Sequence, residues 1–372
     1  MSTYNDASLI YYPSGYKAGT AYSLKPTDGS GDLTFTRAST ATRVNESGLI
    51  ESVATGVPRI DYTSGCGKLL LEPQRTNLLL QSNNFSTSWS IGANVALTAN
   101  FATSPDGTTN ASRLLTSGTA QNVFQTGVAT VSGSVYTVSI YAKNTIAGTS
   151  QKLKFGSFVN GYSQYTLTDD WVRYTHTFTS TATSQIIGIT SPSPAENFDI
   201  LTYQFQCELG SYPTSLINTT TTAVTRVADD ARKNGISSLI GQTEGVIYFE
   251  FDYKKNQINT PLFQTSLGTT NAIYVLCLSD FKLRFIINLG GVSQVSITTA
   301  TVPNLGINKL AIAYKANDAA FYLNGTQVGV DNSCSIPTVD SIYLTTANQN
   351  TQAFMTFTTR LSNTDLATLT TL

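Results

Sequence analysis

The fold class is decided by a short stretch that reads Val135-Tyr136-Thr137-Val138-Ser139-Ile140-Tyr141-Ala142-Lys143. Successive side chains of an extended chain point to opposite faces, so every second residue shares a face. The residues predicted to face inward are Tyr136, Val138, Ile140 and Ala142. Such alternation predicts a strand with one buried and one solvated face, which is typical of antiparallel sheets.

The same alternation recurs on both sides of this stretch. Residues 203–209 predict a strand, with Tyr203, Phe205, Cys207 and Leu209 facing inward, and residues 171–178 predict another. Towards the C-terminus the predicted inward set is Ile247, Phe249, Phe251 and Tyr253. Asn324-Gly325 between two apolar runs predicts a hairpin, because both turn residues need positive φ. Residues 362–369 predict one short capped helix, since Ser362 and Asn363 precede an apolar spacing.

The composition of the 372-residue chain favours strands throughout. Hydrophobic residues make up 41% of it, and charged residues 12%, about half of the usual ~25%. A shortage of Glu, Lys and Arg disfavours long helices with wet faces, whereas Thr, Tyr, Val and Ile suit a pleated surface. A single core rarely grows past about 250–300 residues, so we expect roughly two to three domains.

The predicted architecture is all-β: an extended N-terminal assembly segment, two antiparallel β-sandwich (jelly-roll) domains and the short C-terminal helix. Residues 1–82 are rich in turn residues and cannot close a core of their own. We therefore expect them to bury their apolar residues against the next domain or against neighbouring copies of the chain. The first sandwich is assigned to residues 83–217 and the second to 232–372. The Thr-rich residues 218–231 form a linker, or a strand that lies along a neighbour.

Charge and motif content exclude several function classes. The formal net charge is −1 at pH 7, which removes the electrostatic basis for nucleic-acid binding. No run approaches the ~18 apolar residues of a membrane span, so membrane insertion is not expected. The N-terminus resembles no secretory signal, and the four cysteines, which show no CxxC spacing, are expected to be reduced thiols.

The strongest suggestion of catalysis is Glu250-Phe251-Asp252, which places two carboxylates on the same face of a strand. Glycosidases with a concanavalin-like sandwich carry a third carboxylate two or three residues further on, where this chain has Lys254 and Lys255. We therefore expect a solvated strand face and no catalytic residue. The single histidine, His176, is expected to be a partly buried structural residue.

Three aromatic residues are candidates for glycan binding: Trp171, Trp89 and Tyr322. Flat aromatic rings offer apolar faces to the C–H groups of sugars. The alternative for the two tryptophans is that they fill sandwich cores. No cofactor is expected; the loops at Asn317-Asp318 and Asp280 could supply oxygen ligands to calcium, and whether a metal is bound stays open.

Several strings resemble the N-terminal module of bacteriophage head-spike and tail-fibre proteins. They are residues 34–43, residues 48–51, residues 58–62 and the stretch Leu69-Leu70-Leu71-Glu72-Pro73-Gln74-Arg75-Thr76-Asn77-Leu78. Residues 208–217 and 223–229 resemble the end of a carbohydrate-binding-module-like sandwich in such fibres, and the hairpin and helix of the last region resemble a concanavalin-like (laminin G-like) jelly roll. In the module strings, the residues assigned to assembly or attachment are Phe35, Arg37, Arg43, Arg59, Tyr62, Glu72 and Arg75.

The resemblance implies a virion protein that is assembled in the host cytoplasm as a homo-oligomer, usually a trimer, and attached to other head or tail proteins. The leading hypothesis is a structural fibre or spike whose lectin-like sandwiches adhere to host-surface glycans. One alternative is a purely structural capsid or tail connector without glycan binding. A third hypothesis, a glycan-degrading enzyme, is disfavoured by the missing third carboxylate.

Overall fold

The computed structural model describes residues 3–12, 16–17, 20–85, 87–119, 121–192, 196–255, 258–345 and 349–372. These residues form an all-β protein built of antiparallel sheets, as the alternation predicts. The helices of this part of the chain are α1 (Thr3–Asp6) and α2 (Asn363–Thr370). No helix among the described residues is both long and apolar enough to cross a membrane.

The strands are numbered along the chain. The first group is β1 (Leu9–Tyr11), β2 (Tyr16–Lys17), β3 (Thr20–Ala21), β4 (Leu33–Thr36), β5 (Ala41–Val44), β6 (Ile50–Val53), β7 (Ile60–Asp61), β8 (Lys68–Leu71) and β9 (Arg75–Asn77). The second group is β10 (Ser90–Ile91), β11 (Val95–Thr103), β12 (Thr109–Thr116), β13 (Val123–Ala129), β14 (Val135–Asn144), β15 (Lys152–Ser157), β16 (Gly161–Thr166), β17 (Val172–Thr179), β18 (Ser184–Thr190) and β19 (Asp199–Leu209). The third group is β20 (Val224–Arg226), β21 (Asp230–Asn234), β22 (Glu244–Tyr253), β23 (Thr260–Gln264), β24 (Ala272–Cys277), β25 (Leu283–Leu289), β26 (Val292–Thr298), β27 (Gly306–Lys315), β28 (Ala319–Leu323), β29 (Thr326–Asp331), β30 (Ser341–Leu344) and β31 (Gln349–Phe357).

The chain folds into two units whose boundaries differ from the predicted ones. The C-terminal unit consists of Met1–Thr40, Val53–Pro73 and Val227–Leu372, and the central unit of Ala41–Ser52 and Gln74–Arg226. No separate module therefore spans residues 1–82: most of that segment belongs to the C-terminal unit, and the rest belongs to the central unit.

Two sheets face each other in the C-terminal unit. Sheet I has the strand order β29-β28-β27-β22-β31-β8-β7, with β1 also paired to β31, and sheet II has the order β2-β3-β4-β21-β30-β23-β24-β25-β26. Between them lies an apolar core that includes the predicted inward set Ile247, Phe249, Phe251 and Tyr253. Helix α2 packs on the outer face of sheet I through Leu366.

Short strands from the N-terminal segment complete these sheets. β1 pairs with β31 in the register Leu9↔Thr356, and β4 pairs with β21 in the register Phe35↔Ala231. Strands this short cannot bury their apolar side chains alone, and strands from the other end of the chain supply the missing neighbours. The predicted partners of residues 1–82 are the next domain or neighbouring copies of the chain, whereas β1 and β4 pair with strands of the last region of the same chain.

The central unit is a second sandwich. Sheet III has the order β11-β12-β19-β14-β17, and sheet IV has the order β10-β13-β18-β15-β16. Residues that alternate along β14 and β15, such as Val138, Ile140 and Phe155, fill the space between the two sheets. The Thr-rich connector is ordered here: β20 pairs with β9 in the register Thr225↔Thr76, and Thr219 donates to the carbonyl of Leu79 at 2.5 Å. Residues 224–226 of the connector therefore form a strand, and Thr219 is held by a hydrogen bond.

In β19, two of the four residues predicted to face inward do not face the core. Gln204 has a φ of 52°, and the pairing of β19 with β14 shifts its register between Ser139 and Tyr141. This bulge reverses the alternation, so Phe205 and Cys207 face the core whereas Tyr203 packs on the outer side of sheet III. Leu209, predicted to face inward, is 52% exposed at the end of the strand.

The predicted hairpin and helix are both present. Asn324 and Gly325 have φ values of 49° and 79° between β28 and β29, as a two-residue turn with positive φ requires. Helix α2 begins after Ser362, whose side chain accepts a hydrogen bond from the Asp365 amide. These features are fixed by local sequence, and this explains why the pattern alone predicted them.

Candidate functional site

Two of the three predicted glycan-binding residues are enclosed by the protein. Trp89 is 7% exposed, stacks on Phe205 with ring centroids 5.6 Å apart, and donates its indole N–H to the Leu80 carbonyl at 2.8 Å. Tyr322 is 4% exposed and belongs to the apolar cluster under helix α2. Neither ring can present a face to a ligand from solvent, so both assignments are corrected to core residues.

Trp171 is half-buried in a cluster on the outer side of sheet III. The hairpin of β5 and β6 contributes Ile50 to this cluster, and Tyr203 and Leu216 complete its buried part. The Trp171 indole donates to the Thr103 carbonyl at 3.1 Å, and the Lys143 ammonium lies 5.5 Å from its ring centroid. The ring packs in the cluster that joins the hairpin to sheet III, and the hairpin covers part of this side of the central unit.

The carboxylates of Glu250 and Asp252 lie on the outer face of sheet I. Glu250 accepts a hydrogen bond from the Tyr248 hydroxyl at 3.0 Å, and burial, together with this carboxylate, raises the Tyr248 pKa far above its usual range. Asp252 lies 3.7 Å from the ammonium of Lys68, a lysine that is only 2% exposed. Each carboxylate therefore has a partner within the unit.

The other titratable candidates have ordinary structural surroundings. His176 is half-buried, its Nδ1 lies 2.9 Å from the Ser163 hydroxyl, and burial lowers its pKa. Asp318 pairs with Arg360 at 2.8 Å, and Asp280 with Lys282 at 3.4 Å. Across the described ranges, no group of three or more His, Cys, Asp and Glu side chains could hold a metal. None of the four cysteines is in a disulfide; Cys66 is exposed and the other three are buried.

Most of the residues assigned to assembly form an internal network in the C-terminal unit. Asp229 accepts from Arg37 at 3.1 Å and from Arg59 over a short contact, and Arg59 also donates to Glu72 at 2.6 Å. All four side chains are almost fully enclosed, as is the ring of Phe35. Burial alone would lower the Arg59 pKa, but the Glu72 and Asp229 carboxylates outweigh it and raise that pKa. These residues tie the N-terminal strands to residues 227–231, and in this chain they are unavailable to an external partner.

The remaining three assembly residues are also engaged within their own units. Arg43 binds Glu51 at 2.6 Å across the β5–β6 hairpin. The Arg75 guanidinium lies 5.2 Å from the Tyr212 ring centroid, and Tyr62 packs against the core of the C-terminal unit. Their side chains are partly exposed.

The outer face of sheet IV carries an aromatic surface that sequence reasoning missed. Phe124, Phe158 and Tyr162, which we call the aromatic strip, are each partly exposed on this face. The Phe158 ring centroid lies 5.4 Å from that of Phe124 and 5.3 Å from that of Tyr162, so the three rings are continuous. Residues alternating with the strip, such as Val123, point into the core instead.

Two glycines lie between the ends of the aromatic strip. The cross-strand register runs Phe124↔Gly188, Gly188↔Gly156 and Gly156↔Tyr162. A Cβ on Gly188 would lie 2.5 Å from the Phe124 Cβ, so a side chain there would displace that residue. Phe158 follows the end of β15 and is held by its amide, which donates to the Ile186 carbonyl at 2.8 Å. The glycines therefore leave the middle of the face free of other side chains.

A row of hydrogen-bonding groups runs beside the aromatic strip. Lys154 is the cross-strand partner of Gln164 on one side and of Thr190 on the other. The Thr190 hydroxyl donates to the Asn122 side chain at 2.6 Å. The Lys154 ammonium lies 5.3 Å from the Tyr162 ring centroid, and no described carboxylate lies within ion-pair distance of it. Burial raises the Tyr162 pKa, so its hydroxyl stays neutral at physiological pH.

This face offers apolar ring surfaces next to donors and acceptors of hydrogen bonds. Such a combination suits amphipathic ligands, because rings pack on C–H groups while amides, hydroxyls and the ammonium bind polar atoms. In the sequence, its only signal was that Asn122 and Phe124 flank the core residue Val123. The rest of the surface forms only because β13, β18, β15 and β16 are neighbours in sheet IV.

Comparisons with known proteins give only distant likenesses. No family model matches the chain, and no curated protein matches it. Among solved structures, the CBM40 of Ruminococcus gnavus IT-sialidase, bound to α2,3 sialyllactose, is 12% identical, with 37% of this chain and 91% of that chain covered and a TM-score of 0.30. The CBM22-1–CBM22-2 tandem domain of Paenibacillus barcinonensis Xyn10C is 13% identical (76% and 97% covered, TM-score 0.27). Domains LG4-5 of the mouse laminin α1 chain are 12% identical (70% and 84% covered, TM-score 0.24). With scores this low, no residue role or ligand is transferred to this chain.

Proposed function

We propose that this protein binds glycans without cleaving them, and that the aromatic strip of the central unit is the binding surface. The supporting observation is the set of three contiguous, partly exposed rings beside a row of amide, hydroxyl and ammonium groups. The opposite outer side of this sandwich is occupied by the β5–β6 hairpin and its aromatic cluster. The three contiguous, partly exposed rings lie on the side that the hairpin does not cover.

The binding we propose is weak at each site. Sugar C–H groups pack on the rings of Phe158 and Tyr162, while Gln164 and Thr190 exchange hydrogen bonds with hydroxyls. Lys154 adds an uncompensated positive charge, so acidic sugar units are accepted and their binding weakens as salt rises. Many copies on one particle raise the overall avidity without any new contact.

We further propose that the chain is a structural fibre or spike of a bacteriophage particle, assembled as a homo-oligomer in the host cytoplasm. This proposal is supported by the resemblance of residues 34–43 and 69–78 to spike and fibre modules. It is tested by immunogold labelling of intact particles with an antibody against the C-terminal helix. Label on the head or on the tail is expected, and unlabelled particles that contain no copy of the chain by mass spectrometry would overturn it.

The absence of catalysis is part of the same proposal. Glu250 is bonded to Tyr248, and Asp252 lies beside the buried Lys68, so neither is set apart as a proton donor next to a cleft. We expect no release of reducing ends from host polysaccharide. Release that disappears in Glu250→Gln would contradict this part of the proposal.

Calorimetric titration with host-surface oligosaccharides tests the binding surface. Phe158→Ala is expected to lower the affinity about tenfold, equivalent to ~1.4 kcal/mol, because it removes the middle ring of the strip. Phe101→Ala is the matched control, since Phe101 is a 44% exposed aromatic residue on sheet III. Equal affinities for the wild type and both variants would rule out the strip as the binding surface.

A further inference from the structure

The outer face of sheet II holds a groove that has no part in the function proposed above. Its volume is about 640 Å³, within the usual range of roughly 300–1,000 Å³ for small-ligand sites. It lies where β4, β21, β23 and β30 approach one another. Its lining includes Thr36, Asp230, Arg232, Gln264, Leu267 and Tyr343, all of them residues of the C-terminal unit.

Three of these residues form a row across the sheet. Arg232 is the cross-strand partner of Tyr343, and Tyr343 is the partner of Gln264. The Arg232 guanidinium lies 5.5 Å from the Tyr343 ring centroid, and the Tyr343 hydroxyl donates to the Asn234 side chain at 3.0 Å. The row therefore places a cation, an aromatic ring and an amide side by side in fixed positions.

Some hydrogen-bonding groups in the groove remain available to a ligand after these internal contacts. Asp230 accepts from Nε of Arg232 at 2.8 Å and from Nη2 over a short contact. This arrangement fixes the guanidinium and leaves Nη1 without a partner among the residues the structure covers. The side-chain amide of Gln264 likewise has no partner among the residues the structure covers. A guanidinium has five N–H donors and an amide both donates and accepts, so the groove can bind several hydroxyls at once.

The charges that line the groove cancel each other. The charged residues of the lining form two pairs. Arg232 is paired with Asp230, and Arg37 is paired with Asp229. An anionic ligand would meet the carboxylate of Asp230 beside the guanidinium. A neutral ligand whose hydroxyls accept from Arg232 and donate to Asp230 meets no such repulsion. Tyr343, Ala38 and Leu267 supply apolar surface for its C–H groups.

We infer that this groove is a second glycan site, selective for neutral sugars, and the inference rests on the proposed function of the chain. It differs in chemistry from the aromatic strip, where Lys154 pairs with no carboxylate among the described residues. One chain would then carry two sites of different selectivity, one in each unit. Glycans that mix neutral and acidic units would engage both.

The test is an array of neutral and uronate-containing oligosaccharides, probed with the full-length protein and its variants. Leu267→Asp replaces apolar surface at the rim of the groove with a carboxylate, where Leu267 is 65% exposed, and Leu305→Asp is the matched control at a 70% exposed leucine outside the lining. Tyr343→Ala removes the ring, and its melting temperature is recorded beside its binding. Phe158→Ala reports on the aromatic strip.

The inference predicts that Leu267→Asp and Tyr343→Ala each weaken binding to neutral oligosaccharides at least fivefold, while Leu305→Asp leaves it unchanged. Phe158→Ala is expected to reduce binding to uronate-containing ligands and to retain part of the neutral binding. If Phe158→Ala removes all binding and both groove variants bind like the wild type, the second site is refuted and the proposed function stands. If the wild type binds no oligosaccharide, the proposed function fails as well. If Tyr343→Ala loses neutral binding together with its melting transition, while Leu267→Asp binds like the wild type, the result counts against the groove as a glycan site.

Discussion

Arg59 shows how much of this fold depends on a few enclosed charges. Its guanidinium binds Glu72 and Asp229, and Asp229 also binds Arg37, in a region almost free of solvent. A buried ion pair adds little net stability compared with apolar residues, but removing one partner leaves a charge without compensation. We therefore expect the network to stabilise the packing of the N-terminal strands against residues 227–231.

Arg59→Met tests this role. We expect the free energy of unfolding of the C-terminal unit to fall by about 3–5 kcal/mol, because Glu72 and Asp229 would remain buried with fewer donors. Lys315→Met is the matched control in the same unit, since Lys315 forms an exposed pair with Glu244, and we expect a change below about 1 kcal/mol. Urea unfolding followed by far-UV circular dichroism measures the change in both variants. Similar small losses in the two variants would contradict the structural role of the network.

Asp106 gives a prediction about pH. Burial would raise its pKa, but hydrogen bonds from Thr108, Ser104 and Asn110 outweigh burial and lower the pKa to about 2. A carboxylate with a lowered folded-state pKa stabilises the fold above its unfolded value of 3.8 and loses that contribution as the pH falls towards 2. The melting temperature of Asp106→Asn should therefore lie below that of the wild type at pH 7, and the gap should close between pH 4 and pH 2. A gap independent of pH would show that the charge is not involved.

Among the elements, the β28–β29 hairpin depends on a single glycine. Gly325 has a φ of 79°, and an added Cβ would lie 3.3 Å from the Thr371 hydroxyl. Gly325→Val should lower the stability of the C-terminal unit by about 1–3 kcal/mol, since a β-branched residue is strained at positive φ. Gly268→Val serves as the control, because Gly268 has an ordinary φ and no atom within 4 Å of its added Cβ. Thermal melting of both variants would decide, and an unchanged midpoint for Gly325→Val would refute the turn.

Local pattern predicted elements well and sheet partners poorly. The inward faces of β14 and β22, the Asn324-Gly325 turn and helix α2 follow from residues close in sequence. The reversal at Gln204 did not, because a bulge adds one residue to an otherwise regular alternation. Trp89 and Tyr322 were misassigned because composition does not distinguish an aromatic residue in a core from one on a surface.

At the scale of the whole molecule, the N-terminal segment belongs mainly to the sandwich formed by the far end of the chain. Sequence reasoning recognised that residues 1–82 lack a core, but their partners could not be predicted, since β1 and β31 are more than 300 positions apart. The aromatic strip was missed because Phe124 in β13 meets Phe158 and Tyr162 only through the pairing of sheet IV, and Gly156 and Gly188 between them have no signal of their own.

A fragment of residues 232–372, the predicted third domain, should therefore not fold alone. It lacks β1 and β8, which pair with β31, and β4, which pairs with β21. It also lacks Arg59 and Glu72. A fragment of residues 74–226 keeps sheets III and IV and should melt cooperatively. Differential scanning calorimetry of the two fragments tests the division into units. Cooperative melting of the 232–372 fragment near the wild-type temperature would contradict it.

The most direct test of glycan binding on sheet IV is a map of backbone amide NMR shifts during titration with a host-surface oligosaccharide that carries a uronate. We expect the largest shifts to fall together at residues 122–126, 154–164 and 186–190, and to disappear in Phe158→Ala. Shifts confined to sheet III or to the C-terminal unit, or none at saturating sugar, would contradict the account.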